Sequence, residues 1–344
     1  MSSVGVPARL ERRRTSKGQL QFYLAKDVRI GTKKAKVTKY LGTEEPSLEE
    51  LENALIAAAY ELEHKAMEKR AELSASRYPP HPFFPEDGKV VILILERFRF
   101  LHRSLQENLR ANELRETEES LEHRYVNGST GIEGNTLTLQ ETRLLLQEGI
   151  VPAGRSLREI NEVQNFKAVR SFREGHRGRI TLFTIKKIHS LMMANIDPSA
   201  GILRRTDDID IVGRDLLLTP SVMIEEELSS ALNQYYDSLE RGTHPFFSAV
   251  LFHHRFESVH PFADGNGRVG RELFNMMLTV KGYPRFPFLA QDRPRYLMAL
   301  ALGDEGRPTD MIETFVRMIV SQRMDVVEER LRRLIGPEAN KDDE

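Results

Sequence analysis

The chain has 344 residues, 40% hydrophobic and 29% charged, with a formal net charge of -1 and no cysteine. That is longer than one average domain and apolar enough for a buried core, so one large domain with a smaller appendage is expected. Lack of cysteine excludes disulfides and thiolate metal sites and fits a reducing compartment, while near-neutral charge argues against wholesale nucleic-acid binding.

The N-terminus lacks the apolar run of a signal peptide, and the longest apolar run, Val90 to Leu95, is far too short to span a bilayer. A soluble cytoplasmic protein with no membrane partner is therefore expected. Charge is nevertheless uneven. Within residues 1–40 the cations, among them Arg12, Arg13, Arg14, Lys33, Lys34 and Lys36, face only Glu11 and Asp27. Gln19 to Leu24 and Lys34 to Leu41 are β-prone runs joined through a turn containing Gly31, which predicts a twisted hairpin. With little aromatic interleaving for base stacking, a solvated module that packs on a neighbour or mediates assembly is a stronger expectation than nucleic-acid binding.

Pro46-Ser47 with Glu49 and Glu50 starts a helix that runs to about Ser74. The proline-rich stretch after it is a linker. From Val90 the periodicity is helical, with helices over 90–112, 116–127, 138–148, 156–173, 184–194, 221–240, 245–259, 269–281, 293–302 and 310–335. Asn127 to Asn135, NGSTGIEGN, lies between two of them. Residues 201–219 break the pattern: Ile209 and Ile211 alternate with aspartates and Gly213-Arg214-Asp215 makes a turn, so a surface β-hairpin is expected. The resulting division is a β-hairpin and helix module at 1–75, a linker at 76–89, a helical region at 90–155, a core at 156–335 and an acidic tail at 336–344.

The densest chemistry is His260 to Arg271, HPFADGNGRVGR. Glycines before a helix let the backbone curl into an anion-binding nest, and the helix N-terminus adds unpaired N–H groups and a positive dipole end. Gly265-Asn266-Gly267 stands just before the helix expected from Val269. Arg268 and Arg271 are three apart and suit phosphate oxygens. Asp264 is a hard oxygen ligand placed for Mg²⁺, and His260 can accept a proton near neutrality. Together they describe transfer from a nucleotide to a hydroxyl. Two further HPF tripeptides, at His81 and His244, lack the glycine turn and the arginines. His253, His254, Glu257 and His260 fall at helical spacings, but HHRFESVH lacks the HExxH order of zinc sites.

HPFADGNGRVGR resembles the HPFx(D/E)GN(G/K)RxxR signature of Fic proteins, which transfer AMP from ATP to hydroxyl side chains of proteins. The resemblance covers roughly residues 115–330. It implies a mainly α Fic-fold helical bundle with a β-hairpin flap at 201–219, where a target segment adds as a strand. It also implies that His260 deprotonates a Ser, Thr or Tyr hydroxyl and that Asp264 binds Mg²⁺. Gly265, Asn266 and Gly267 would hold the α and β phosphates, and Arg268 and Arg271 would orient the β and γ phosphates. Lys stands at the position of Gly267 in the related Doc phosphotransferases, so Gly267 favours nucleotidyl transfer.

Ser129 to Gly134, STGIEG, is similar to the family's (S/T)xxxE(G/N) inhibitory motif, N-terminal to the core. If this stretch is helical, Ser129 and Glu133 share a face, and a Glu133–Arg271 pair would occupy the fork needed by the γ phosphate. The same Glu133 could orient water to remove AMP. An autoinhibited adenylyltransferase, with ATP as substrate and Mg²⁺ as cofactor, is the main reading. It is compatible with self-modification and a homodimer. The alternatives are a Glu133-dependent de-AMPylase and a nucleic-acid-associated regulator that uses the fold as a nucleotide sensor.

Overall fold

The alternating segment of residues 9–42 folds as three antiparallel strands, β1 (Arg9–Arg14), β2 (Leu20–Ile30) and β3 (Lys33–Gly42), in the order β1-β2-β3. The computed structural model of the chain describes residues 8–79, 88–207 and 218–336. The expected hairpin is β2-β3, and β1 is an addition to it. Its sequence RLERRR has one apolar residue and no period of two. It is a strand because β2 offers it a partner edge, with Leu10 opposite Leu24. Phe22, Leu24 and Val28 are buried on one face of the sheet. There Leu24 clusters with Ala58 and Leu62 of helix α1 (Leu48–Ala75). Helix α1 starts on a capping box in which Ser47 and Glu50 satisfy each other's backbone N–H. Helices α2 (Gly88–Asn108) and α12 (Gln322–Ile335) complete this unit, whose core joins Met67, Phe100, Leu101 and Leu331.

Residues Glu116–Ile319 form the second compact unit. Its helices are α3 (Ala111–Ile132, entering from the first unit), α4 (Leu139–Gln147), α5 (Leu157–Gly175), α6 (Leu182–Met192) and α7 (Ile224–Glu240), then α8 (Pro245–Val259), α9 (Asn266–Thr279), α10 (Arg293–Asp304) and α11 (Pro308–Val316). The fold is mainly α, as expected. Several boundaries differ from the sequence reading, among them the end of α2 at Asn108 and the start of α3 at Ala111. The helix expected to stop at 127 runs on as α3 to Ile132, α9 begins at Asn266 and not at Val269, and the single helix expected over 310–335 is interrupted by a π-helical turn at Arg317–Ser321.

Helices α8 and α9 are the centre of the second unit. Phe246, Phe247, Phe256 and Val259 on α8 and Val269, Leu273 and Phe274 on α9 are fully buried. Phe274 packs edge-on to Phe246 and Phe288 at 5.8 and 5.6 Å. Each such side chain contributes about 1.5–3 kcal/mol on burial, so the turn between α8 and α9 stands on a fully buried aromatic core. His244 caps α8 and Pro245 occupies its first turn, so this HPF is a helix start. The HPF at His81 and the tail beyond 336 lie outside the described residues, as does most of the linker. So do residues 208–217 of the expected flap.

Candidate functional site

Helix α8 ends on His260, which adopts a left-handed conformation with φ 47° and caps the helix through its N–H to the Phe256 carbonyl. This costs a non-glycine residue about 1 kcal/mol or more, and such strain persists only where the surroundings enforce it. Arg204 is the enforcing neighbour. It is buried, and its Nε donates to the His260 carbonyl at 2.8 Å. Its Nη1 donates to Thr206 O and its Nη2 to Thr219 O, at 2.9 and 2.5 Å. One guanidinium thus ties His260 to both described ends of the 201–219 segment.

After His260 the chain turns through residues 261–265 into α9. Asn266 holds this turn: its Oδ1 accepts from the Phe262 N–H at 2.9 Å and its Nδ2 donates to the Phe262 carbonyl at 2.8 Å. Its side-chain amide therefore clamps the loop, and its backbone N–H is one of the unpaired donors of the first turn. Gly265 precedes α9 at φ 79°, a conformation glycine takes without penalty. A Cβ there would meet Met193 Sδ at 2.7 Å. Gly267 lies inside the first helical turn, so the groups expected to form a separate glycine nest belong to the helix end itself.

His189 of α6, fully buried, supports the turn from below. It stacks on Phe262 with ring centroids 3.6 Å apart. Its Nδ1 accepts from the Gly201 N–H at 2.7 Å, so the other nitrogen carries the proton and donates to the Asp264 carbonyl at 3.0 Å. Burial pushes this imidazole below its ordinary pKa, although the bond to Asp264 opposes the shift.

The Asp264 carboxylate accepts from the Gly265 N–H and pairs with Arg268 Nη2 at 3.2 Å and with Arg158. Burial disfavours its charge, but Arg268, Arg158 and the Gly265 N–H together hold it below the usual carboxylate range. Arg268, itself buried, also lies 3.2 Å from Glu162, which accepts from Asn135 at 2.9 Å. Its Nε has no hydrogen bond among the described residues.

Arg271 is fully buried over the ring of Tyr296. Its Nε donates to Ser129 Oγ at 3.1 Å, and its Nη2 donates to Ser129 O and Glu133 Oε1, both at 2.7 Å. Burial works against this charge, but Glu133, Tyr296 and Glu257 raise the pKa above the ordinary guanidinium value. Glu133 sits one residue past the end of α3 with 38% of its side chain exposed. A Cβ on Gly267 would lie 2.3 Å from its Oε1, so the bare helix turn is what lets this carboxylate reach the arginine.

The glycines that made residues 127–135 look like a break serve close packing. A Cβ on Gly128 would be 2.0 Å from the Phe288 carbonyl oxygen, and one on Gly131 would be 3.0 Å from Ala290 Cβ. Helix α3 is further fixed by a buried quartet behind the site. Arg173 reaches Glu272 at 2.9 Å and Glu122 at 3.0 Å, while Arg285 reaches Glu272 at 2.7 Å and Glu122 at 3.1 Å.

The structure thus brings Ser129 and Glu133 onto Arg271, and Asp264 onto Arg268, at the N-terminal end of α9. The histidines of the rejected metal pattern diverge. His253 bonds the Tyr296 hydroxyl and His254 bonds Asp304, each at 2.9 Å. Sequence reasoning missed His189, Arg158, Glu162 and Arg204. A cleft of about 620 Å³ lined by Tyr235, Tyr236, Met276 and Met277 opens at the opposite end of α9, away from these groups.

The site is thus a turn between two buried helices, with an open helix N-terminus and a carboxylate seated on its buried arginine. Residues 179–278 match the Fic/DOC family. It is 31% identical over 220 residues to a Caenorhabditis briggsae protein named protein adenylyltransferase fic-1, covering 62% of this chain and 41% of that one. It is also 31% identical over 211 residues to protein adenylyltransferase Fic of Drosophila willistoni, covering 60% and 41%. The chain therefore spans less than half the length of these relatives. Among solved structures it is similar to a Fic domain containing signaling protein from Bacteroides thetaiotaomicron, with TM-score 0.56, 23% identity and coverage of 71% and 98%. A Caenorhabditis elegans Fic-1 fragment gives TM-score 0.56, 23% identity and coverage of 84% and 88%. At that identity the structural likeness speaks for the fold alone.

Proposed function

We propose that this chain transfers AMP from ATP to a hydroxyl of a target protein or of itself, and that Glu133 restrains the reaction. The observation that carries the reading is the Glu133 carboxylate, 2.7 Å from Arg271 at a helix N-terminus. A fully buried arginine beside unpaired N–H groups is an anion site, and a partly exposed carboxylate is a replaceable occupant. The names of the relatives support adenylyl transfer over other phosphate chemistry.

In this reading the N–H groups of Asn266 and Gly267 hold the α and β phosphates, and Arg268 holds the β phosphate. Arg271 takes the γ phosphate once Glu133 leaves. Its Nη1, buried with no hydrogen bond among the described residues, is a donor suited to that oxygen. Ser129 keeps the guanidinium in place throughout. His260 accepts the proton of the incoming hydroxyl. The hydroxyl oxygen bonds to the α phosphorus, the bond to the β phosphate oxygen breaks, and pyrophosphate departs. A target segment would be presented by the flap, whose base Arg204 ties to His260.

Mg²⁺ fits the donor set. Asp264 is ionised and 40% exposed, its partner Arg158 is an exposed side chain able to swing away, and this ion needs only one or two carboxylates beside phosphates and water. When bound it would neutralise phosphate charge. No helix among the described residues is long and apolar enough to cross a membrane. The cysteine-free composition supports a cytoplasmic setting.

The test is transfer of label from ATP marked at the α phosphate. Glu133→Gly should raise self-labelling or target labelling, and His260→Ala in that background should reduce it by about 10²–10⁴-fold, the usual contribution of a positioned base. Equal labelling by all forms would overturn the reading, as would transfer from the γ position.

A further inference from the structure

We propose that the face of the β1-β2-β3 sheet turned away from α1 docks in the major groove of duplex DNA. The strand register sorts the N-terminal charges by face. Lys26 and Lys39 point to α1, where they pair with Glu63 and Glu61 at 2.5 and 2.7 Å. The opposite face carries Arg9 and Arg13 on β1, Arg29 on β2 and Lys34 and Lys36 on β3, since Asp27 pairs across to Lys36 and Arg29 to Lys34. All five are exposed. Only Glu11 and Asp27 oppose them there, so this face is strongly positive in a chain whose net charge is -1.

The distribution of those cations argues for a groove. Four of the five lie on the two outer strands, which are about 10 Å apart, or two interstrand spacings. A major groove is about 12 Å wide and admits β-strands. Cations at both edges can therefore reach the phosphates of both groove walls. Between them the central strand is low, with fully buried Ala25 opposite Arg9 on one side and Thr38 on the other.

The cations are also pre-positioned. Asp27 holds Arg9 at 2.5 Å, and Glu11 holds Lys36 at 2.6 Å and Arg13 at 2.9 Å. These exposed pairs are worth little in themselves, so phosphate can replace the carboxylates cheaply.

The register also brings together two aromatic rings that are far apart in sequence. Tyr23 pairs with Tyr40 at 5.3 Å, and Arg13 covers Tyr23 at 4.6 Å. The rings are tilted by 56° and Arg13 occupies one face of Tyr23. They are therefore better placed to rest on a groove edge than to stack splayed bases, which favours a duplex over a single strand.

The experiment is fluorescence anisotropy of the full chain with a labelled 20-base-pair DNA duplex at 50 and 200 mM salt. The same single strand and the matching RNA duplex serve as comparators. With four phosphate contacts the slope of log K against log salt is about -3.6, so binding should weaken about a hundredfold between the two salts. Lys34→Ala and Lys36→Ala should each weaken binding and reduce the slope by about one. Arg333→Ala, on α12 with 79% of its side chain exposed, should leave it unchanged. Circular dichroism would check that the variants keep the fold.

Absence of salt-dependent binding at 50 mM would overturn the proposal. So would Lys34 and Lys36 variants that bind as the parent does. Equal or tighter binding of the single strand or the RNA duplex, whose major groove is too deep and narrow for a sheet, would overturn the docking mode.

Discussion

Arg271 and Glu272 are neighbours on α9 and both fully buried, yet they belong to regions held by different means. Arg271 faces the helix N-terminus, where its only ion pair among the described residues is with the partly exposed Glu133. Glu272 faces the other way, into the quartet with Arg173, Arg285 and Glu122, where each of the four charges has two opposite partners. Arg285 also covers the ring of Tyr125 on α3 at 4.0 Å. In the proposed reading the first region exchanges an anion, whereas in the second each largely buried charge is held by two opposite charges, so no single group is easily replaced. The comparison suggests that release of Glu133 involves the end of α3 and not its body, because Glu122 and Tyr125 anchor the body.

Cutting the fixed region should have the largest effect. Glu272→Ala leaves two buried guanidinium groups short of a partner, and a loss of about 3–5 kcal/mol is expected from chemical denaturation. The pH dependence sharpens this. Burial opposes the charge of Glu272, but Arg285 and Arg173 pull its pKa down to about 2, below its unfolded value of 4.5. A lowered folded pKa means that the contribution is present above the unfolded value and is lost as pH falls toward 2. Glu272→Gln should therefore flatten the acid limb of the stability profile. An unchanged limb would show that the quartet is not held as described.

Gly128→Ala should come next. The added Cβ meets a backbone oxygen that cannot rotate away, so about 1–3 kcal/mol of overpacking cost is expected. The displaced end of α3 should also raise labelling by ATP. Unchanged melting would count against the close approach.

Glu133→Gln should be the mildest. The carboxylate is 38% exposed and Ser129 still binds the guanidinium, so a loss of about 1 kcal/mol or less is expected, together with higher labelling. A loss as large as that of Glu272→Ala would erase the distinction between the two regions.

Legibility followed the distance over which a signal is carried. HPFADGNGRVGR was readable because its groups are contiguous and their spacing alone places them on one helix end. Ser129 and Glu133 were readable because four residues bring two side chains to one face. His189 was not, since a histidine among Ile185, Ile188 and Met192 has the pattern of a core position. Arg158, Glu162 and Arg204 were not, since nothing local distinguishes them from surface charges, and two of the three are buried. Strand β1 was missed because its apolar pattern is absent and its reason for being extended is a partner strand. The pairing of Tyr23 with Tyr40 was not legible either, because the two rings meet only through the register.

The sequence by itself determined the mainly helical class, the position of the glycine turn before α9 and the identity of the acid that reaches its arginine. The first two depend on residues within a few turns of one another, and the third on the likeness of Ser129 to Gly134 to a known inhibitory motif, since Glu133 and Arg271 are 138 residues apart. Tertiary structure alone decided that α3 continues through its glycines, that Arg271 and Glu272 have opposite surroundings, and that the basic strands present one cationic face. These depend on which backbones come close enough to exclude a Cβ or water, a distance set by packing between elements far apart in the chain.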